Sequence, residues 1–372
     1  MIRLERLRLY SADLELRSPF RSSESTQRSK RTYLVELESD DGVTGWSEIS
    51  AQEDPSYWPE TVSSCLDVIE HHLVPRLGIA LESPFDIAQV FASIRGNQMA
   101  RASIEMALFD LWAHREGVSL WQLLGAASDR THITAGVSLS LADDIDGLRE
   151  ELAIYQQDGY RFFKAKIAPG ADAAILELCG TEFALDHLVL DANGSYSGAH
   201  AGELDRVDSL GVALLEQPLT ERDFAGLVDT ARRLRTPIGL DESVGGVDDI
   251  VTALRLGMRP TINLKPSRVG GYVESLKIIE LCQHEGLHLR IGGMLETGIG
   301  RAHNLALASH PAFDRVGDLA ASDRYFANDL TEPFVLTANG TIERPTGTGL
   351  GRVPDPAWIS STSCLELHIG RS

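Results

Sequence analysis

The chain has 372 residues, 43% apolar and 24% charged, a core-forming composition that excludes disorder over most of its length. Its 34 Lys and Arg against 54 Asp and Glu leave a net charge of −20, which repels phosphate backbones and anionic bilayers, so neither nucleic acid nor a membrane is expected as a partner. The longest apolar-or-glycine run (Leu210 to Leu215) falls far short of a spanning helix, the start MIRLERLRLY lacks a signal-peptide centre, and the cysteines at 65, 179, 282 and 364 form no C-x-x-C pair, which together fit a reduced cytoplasmic protein.

Residues Arg3 to Leu9 and Tyr33 to Glu38 alternate apolar and polar side chains and are expected as strands. Asp40-Asp41-Gly42 after the second is a hairpin signal. Between them RSPFRSSESTQRSKR (17–31) is polar, basic and serine-rich, and is expected as a loop able to act as a lid. Helical spacing covers Pro59 to Leu73 and Asn97 to Glu116; in the latter Ala100, Ile104, Ala107, Leu108, Leu111 and Trp112 make one face. The first ~125 residues therefore suggest a small α+β unit.

From there short apolar strands alternate with amphipathic helices, as in a parallel sheet. The candidates are Ile133–Ser138, Phe162–Ile167, His187–Asp191, Ala213–Glu216, Ile238–Asp241, Thr261–Lys265, His288–Ile291 and Arg315–Asp318. Polar strand ends recur at Lys166, Asp191, Glu216, Asp241 and Lys265, with spacings of 25, 25, 25 and 24 residues. That even beat predicts a closed β/α barrel. The tail beyond about residue 328 is too short for a domain and is expected to pack back on the N-terminal unit.

Barrel chemistry sits at the C-terminal strand ends. Strand two ends Lys164-Ala165-Lys166, whose lysines point the same way; strands three to five end in Asp191, Glu216 and Asp241; strand six ends in Lys265. One such acid is most simply a solvated strand end, but three on successive strands would repel one another. A hard divalent cation, Mg²⁺ or Mn²⁺, removes the conflict. A salt-bridge network is the bland alternative for the lysines. The sharper one is general base catalysis, with neighbouring cations, including Arg268, lowering the pKa of Lys265. A metal that binds a substrate carboxylate acidifies its α-proton, and a lysine removes it. A base on each face permits racemisation; a base on one face permits elimination.

GNQMARASIEMALFDLWA (96–113), KAKIAPG (164–170), LDANGSY (190–196), LEQPL (215–219), LDES (240–243), INLKPSRVGG (262–271), GGMLETGIGRAHNLALAS (292–309) and GD-x-x-ASDRYF (317–326) carry a resemblance. Nearly end to end, the chain resembles the muconate-cycloisomerase-like subgroup of the enolase superfamily. More narrowly it is similar to the mixed o-succinylbenzoate synthase/N-succinylamino acid racemase family. The resemblance implies a modified (β/α)7β TIM-type barrel over 128–327, an α+β capping domain over 1–127 with lid loop 17–31, and a C-terminal segment, 328–372, completing the cap. It implies Asp191, Glu216 and Asp241 as metal ligands, Lys166 and Lys265 as acid/base lysines and Lys164 as support. Ser138, Asn193, Asn263, Gly292, Gly293 and Met294 match positions near metal or substrate, and Arg268 would help tune Lys265. It also implies a homo-oligomer.

The expected activity is Mg²⁺-dependent dehydration of 2-succinyl-6-hydroxy-2,4-cyclohexadiene-1-carboxylate to o-succinylbenzoate, a menaquinone-pathway step. Racemisation of N-succinyl or other N-acyl amino acids is the close alternative, and a non-catalytic carboxylate-binding barrel is the alternative of another class. Two departures bear on substrate preference: Ala168 stands where the family usually has lysine, and Arg290 where it often has an aromatic residue. Strand six offers lysine rather than histidine, against mandelate-racemase-like chemistry, and Asp318-Leu319-Ala320 lacks the D-x-D of dipeptide epimerases. Gly347-Thr348-Gly349-Leu350-Gly351 is expected as a turn, not a phosphate loop. His71-His72 is expected on a solvated helix face, Pro55-Ser56-Tyr57-Trp58 as loop packing or pocket wall, and Asp143-Asp144 and Asp248-Asp249 at helix starts.

Overall fold

The computed structural model describes residues 1–21, 26–126, 129–141, 144–179 and 181–370. The expected lid loop falls partly outside them (22–25), as do Asp143 and the expected boundary at 127/128.

The alternation in the N-terminal segment produces a long antiparallel hairpin, β1 (Ile2–Arg21) and β2 (Thr26–Ser39), continued by β3 (Thr44–Glu48). Gly42 turns the chain between β2 and β3 at φ 81°. β1 also pairs with β4 (Ala80–Leu81). The hairpin overturns the expectation of a loop over 17–31. Pairing runs to Glu15↔Ser29, shifts register, and resumes at Phe20↔Gln27 and Arg21↔Thr26. The ladder satisfies the backbone, and Leu16 and Phe20 pack against the barrel core, so the segment's polar composition does not prevent a strand.

Helix α1 (Gln98–Glu116) is the hinge of the architecture. Sequence spacing predicts one apolar face, yet every residue from Met99 to Ala113 except Arg101 is buried. The reason is position: Ala107, Leu108 and Leu111 face the cap sheet while Ala102, Met106 and Phe109 face the barrel. The helix lies so close to β3 that a Cβ on Gly45 would stand 2.2 Å from the Ala107 carbonyl oxygen. Its buried acids are bonded: Glu105 accepts from the Val273 amide (2.8 Å), and Asp110 from the Trp46 (2.8 Å) and Leu350 (2.5 Å) amides. Burial still pushes both carboxyls up to about 7.

The first barrel candidate divides at Ala135. β5 (His132–Thr134) pairs outside the barrel and β6 (Gly136–Leu139) opens it. β7 (Phe162–Lys166), β8 (Leu188–Asp191), β9 (Leu214–Glu216), β10 (Ile238–Leu240), β11 (Thr261–Leu264) and β12 (Leu289–Ile291) follow in parallel, each beside its sequence neighbour. Helices α2 (Ile145–Asp158), α3 (Ala173–Leu178), α4 (Ala201–Leu210), α5 (Phe224–Arg233), α6 (Val247–Arg255) and α7 (Tyr272–Glu285) connect successive strands, and α8 (Gly298–Ala308) follows β12. Asp144 caps α2 through the Gly147 amide, and Asp248 and Asp249 lie in the first turn of α6.

The eighth strand expected over Arg315–Asp318 does not form. The segment instead fills the gap between β12 and β6 at close range. Arg315 N donates to the Leu289 oxygen (3.1 Å), and a Cβ on Gly317 would meet the Ile291 oxygen at 2.0 Å. A Cβ on Gly136 would meet the Gly317 oxygen at 2.2 Å. Two glycines thus let the ring close without a paired strand. In the tail β13 (Thr341–Glu343) pairs with β5, and β14 (Cys364–His368) adds to β1 at Leu7↔Leu367. All four cysteines are unpaired, and among the described residues no helix is long and apolar enough to cross a membrane.

Candidate active site

Strand alternation brings the predicted residues to one place. Lys164 and Lys166 of β7 both point inward, in register with Ser138 and Asp191 on the flanking strands. Asp191, Glu216 and Asp241, at or just past the ends of β8, β9 and β10, are fully buried, and each offers an oxygen within 4.8 Å of the others. Above them Ser138, Lys164, Lys166, Asn193, Lys265, Gly293 and Met294 line one space of about 70 Å³. Gly292 stands behind it: a Cβ there would lie 2.6 Å from Asn263 Oδ1 and 2.8 Å from Lys265 Cε. Glycine is what lets the Lys265 chain pass.

The lysines are held by the acids. Lys166 Nζ donates to Asp191 Oδ2 and Asn193 Oδ1, both at 2.7 Å. Lys164 Nζ lies 3.0 Å from Asp191, 3.0 Å from Glu216 and 2.7 Å from Asp318. Lys265 Nζ donates to Asp241 Oδ2 (2.9 Å) and Tyr57 OH (2.6 Å). Arg268 pairs with Asp241 from behind and donates to Tyr57 OH (2.9 Å). Asn263 Nδ2 donates to Glu216 Oε1 (3.1 Å).

Burial and charge set the protonation states. Burial works against the charge on Asp191, but Lys164 and Lys166 hold that carboxyl well below its usual range; Arg268 and Lys265 do the same for Asp241. Burial pushes Glu216 up despite Lys164 and Arg290. Burial beside Asp241 and Asp191 pushes Glu242 up to about 8. Arg268 acts downward on Lys265, as the sequence expectation had it, and burial does the same, but Asp241 and Tyr57 outweigh them and hold Lys265 above its ordinary value. Arg268 is itself committed to Asp241, which blunts its effect on the lysine.

The three carboxylates form a hard, all-oxygen donor set of the kind divalent cations take. Glu216 Oε2 is buried with no hydrogen bond and only an ion pair with Arg290 at 3.1 Å, so it has a lone pair free for a cation. The residues therefore fit a divalent metal ion.

Sequence reasoning left out several participants, though not Tyr57, which lines the cavity as the pocket-wall alternative for 55–58 expected and also bridges Lys265 and Arg268. Asp318 lines it too and is the third acid on Lys164. Its place at the end of the unpaired closing segment hid it. Lys30, inside the expected lid, is buried; it donates to Glu48 Oε1 (3.1 Å) and to the Met294 carbonyl oxygen (3.1 Å). Glu48 in turn accepts from the Thr297 amide (2.9 Å), so the hairpin is tied to the 293–297 segment. Arg290 is not at the substrate cavity, as its family position suggested, but beneath the metal carboxylates, 3.1 Å from Glu216. Of the non-glycine residues with positive φ, Asn193 (43°), Gln217 (39°) and Leu295 (56°) all lie just past barrel strand ends, where strained backbone marks a functional rim.

Two family models cover most of the chain: the mandelate racemase/muconate lactonizing enzyme N-terminal domain over residues 6–125, and the enolase C-terminal domain-like family over residues 147–358. A curated o-succinylbenzoate synthase from Bacillus subtilis is 38% identical over 94% of each chain. An N-succinylamino acid racemase from Amycolatopsis is 36% identical over 99% of this chain and all of its own. The chain belongs to the enolase superfamily. Within it, the chain belongs to the o-succinylbenzoate synthase/N-succinylamino acid racemase family. A solved enolase-superfamily protein from Listeria innocua superposes with a TM-score of 0.92 at 35% identity, covering 99% of this chain and all of that one. The cap and barrel described above are the enolase-superfamily architecture.

Proposed function

We propose that this enzyme is an o-succinylbenzoate synthase. It dehydrates 2-succinyl-6-hydroxy-2,4-cyclohexadiene-1-carboxylate, with Mg²⁺ (or Mn²⁺) held by Asp191, Glu216 and Asp241. The observation that carries the reading is the meeting of Lys166 and Lys265 in one cavity above three buried carboxylates. The names of the relatives set the reaction among those this machinery can perform.

A divalent cation bound there supplies Lewis-acid stabilisation of the substrate carboxylate as its α-proton is lost. The chain's residues do the rest. Lys166, fixed by Asp191 and Asn193, takes the α-proton and returns it to the departing hydroxyl on the same face. Lys265, held by Asp241 and Tyr57, stabilises the enediolate by its charge from the other face. Lys164 stays charged, because Asp191, Asp318 and Glu216 outweigh its burial. Ser138, Gly293 and Met294 shape the space around the substrate, and Asn263 holds Glu216. Phe20 and Gln27 of the hairpin line that space of about 70 Å³ together with Met294 and Leu295, and a movement of the hairpin away from them would widen it for substrate.

Racemisation of N-succinylamino acids is the second reading. It is favoured by one observation: Lys265 is as deeply placed and as firmly bonded as Lys166, as a two-base reaction needs. The test is kcat/KM for dehydration with Mg²⁺ beside N-succinylphenylglycine racemisation by the same preparation. Dehydration near ~10⁵ M⁻¹s⁻¹ or above supports the synthase reading. Negligible dehydration with fast racemisation replaces it with the racemase. Neither reaction, with no α-proton exchange in D₂O, leaves a carboxylate-binding barrel. The enzyme is expected to act as a cytoplasmic homo-oligomer.

A further inference from the structure

The barrel is hollow at its N-terminal end. A cavity of about 620 Å³ opens among the strand starts and rises to Lys164, Arg290 and Asp318. Barrels of this type normally fill that half with layered side chains. Here Gly136 and Gly317 contribute none, and Phe162, Val189, Leu214 and Val316 form an apolar wall around the space. Its size is that of a ligand site.

At the top stands Arg290, 2% exposed, with Nε and Nη1 lacking any hydrogen-bond acceptor. Its ion pairs do not supply one: Glu216 Oε2 at 3.1 Å and Asp318 Oδ1 at 3.9 Å are themselves without hydrogen bonds. The guanidinium is ion-paired, but its Nε and Nη1 make no aligned hydrogen bond, and an acceptor entering from the cavity would supply one. Asp186 and Asp314 also line the cavity and oppose a dianion.

We propose that the lower half of the barrel is a second ligand site, taking a small monocarboxylate with an apolar body whose head group pairs with Arg290. A planar carboxylate matches the guanidinium fork, and the wall takes the apolar body. The site is separate from the cavity of Lys166 and Lys265. Lys164 and Asp318 border both, so an occupant presses on the metal carboxylates from below.

The probe is 4-bromobenzoate. In crystals of the unaltered protein grown with Mg²⁺ and soaked with it, anomalous scattering places bromine in the lower barrel with the carboxylate on Arg290. In calorimetric titrations with Mg²⁺ the probe gives an event beyond any at the upper cavity. That event weakens about ten- to a hundred-fold in Arg290→Leu and vanishes in Leu214→Trp, which fills the space from β9. Neutral 4-bromobenzamide does not produce it. Water alone in the lower barrel of soaked crystals overturns the proposal. So does bromine seen only at crystal concentration, or an event unchanged in Arg290→Leu. The soak does not depend on any variant folding, and a Mg²⁺ titration without probe reports the upper site by itself, so failure of the metal reading is distinguishable.

Discussion

Tyr57→Phe removes one oxygen from the site and leaves the ring that lies 4.9 Å from Lys265 Nζ. That oxygen accepts from Lys265 at 2.6 Å and from Arg268 at 2.9 Å. Without it Lys265 keeps only the 2.9 Å bond to Asp241 and gains freedom to swing. A hydrogen bond to a charged group contributes about 1.5–3 kcal/mol, or roughly ten- to a hundred-fold in rate where the transition state needs it. In racemisation Lys265 must deliver or take a proton at a defined point. In dehydration it contributes charge, which survives a modest displacement. The variant is therefore expected to lose roughly ten- to a hundred-fold in racemisation kcat/KM and no more than about threefold in dehydration. Polarimetry on N-succinylphenylglycine and ultraviolet absorbance of the aromatic dehydration product measure the two on one preparation. Equal losses in both reactions, or none in either, would refute the division of labour between the lysines.

His303 is buried neutral, accepting from Tyr272 OH (2.6 Å) and donating to the Trp46 carbonyl (2.8 Å), and burial lowers it to about 4. Its contribution is present above the unfolded value near 6.5 and lost as pH falls toward 4. Relative to His303→Gln, the protein should lose about 3 kcal/mol of unfolding free energy between pH 7 and 4, by urea denaturation. Glu105 and Asp110, raised to about 7, act oppositely: their contribution is present below the usual carboxylate range and lost as pH rises through 7. Equal pH slopes in His303→Gln and the parent would exclude the role given to His303. Gly292→Ala, whose Cβ meets Asn263 Oδ1 and Lys265 Cε, should cost about 1–3 kcal/mol and displace Lys265, with a fall in kcat; unchanged Tm and kcat would contradict the close approach. Mg²⁺ at a hundred times its Kd should raise stability by about 2.7 kcal/mol, and Glu216→Gln should abolish most of that gain in calorimetric scans.

The chemistry was far more legible in the sequence than the cap was. The near-constant spacing of Lys166, Asp191, Glu216, Asp241 and Lys265 encodes position directly, because in a barrel every strand end faces the same mouth. The hairpin over 17–31 was hidden because its stability comes from a backbone ladder and from Lys30 paired with Glu48, neither of which composition reveals. The full burial of α1 was hidden because its second face is covered by the barrel, a tertiary fact. Tyr57 was legible as a pocket-wall candidate, but its bond to Lys265, 208 positions away in the chain, was not. Arg290 stood out as a departure from the family pattern, but its direction, down toward Glu216 and Asp318, follows from barrel geometry that a single sequence does not carry.

The central claim is that Lys166 and Lys265 serve opposite faces of one bound carboxylate. Proton NMR of α-hydrogen exchange in D₂O, on each enantiomer of N-succinylphenylglycine with Lys166→Ala and Lys265→Ala, tests it most directly. Both variants should fail to racemise, yet each should still exchange the α-proton of one enantiomer, and the enantiomer should differ between them. Loss of exchange with both enantiomers in both variants, or exchange of the same enantiomer by both, would contradict the claim.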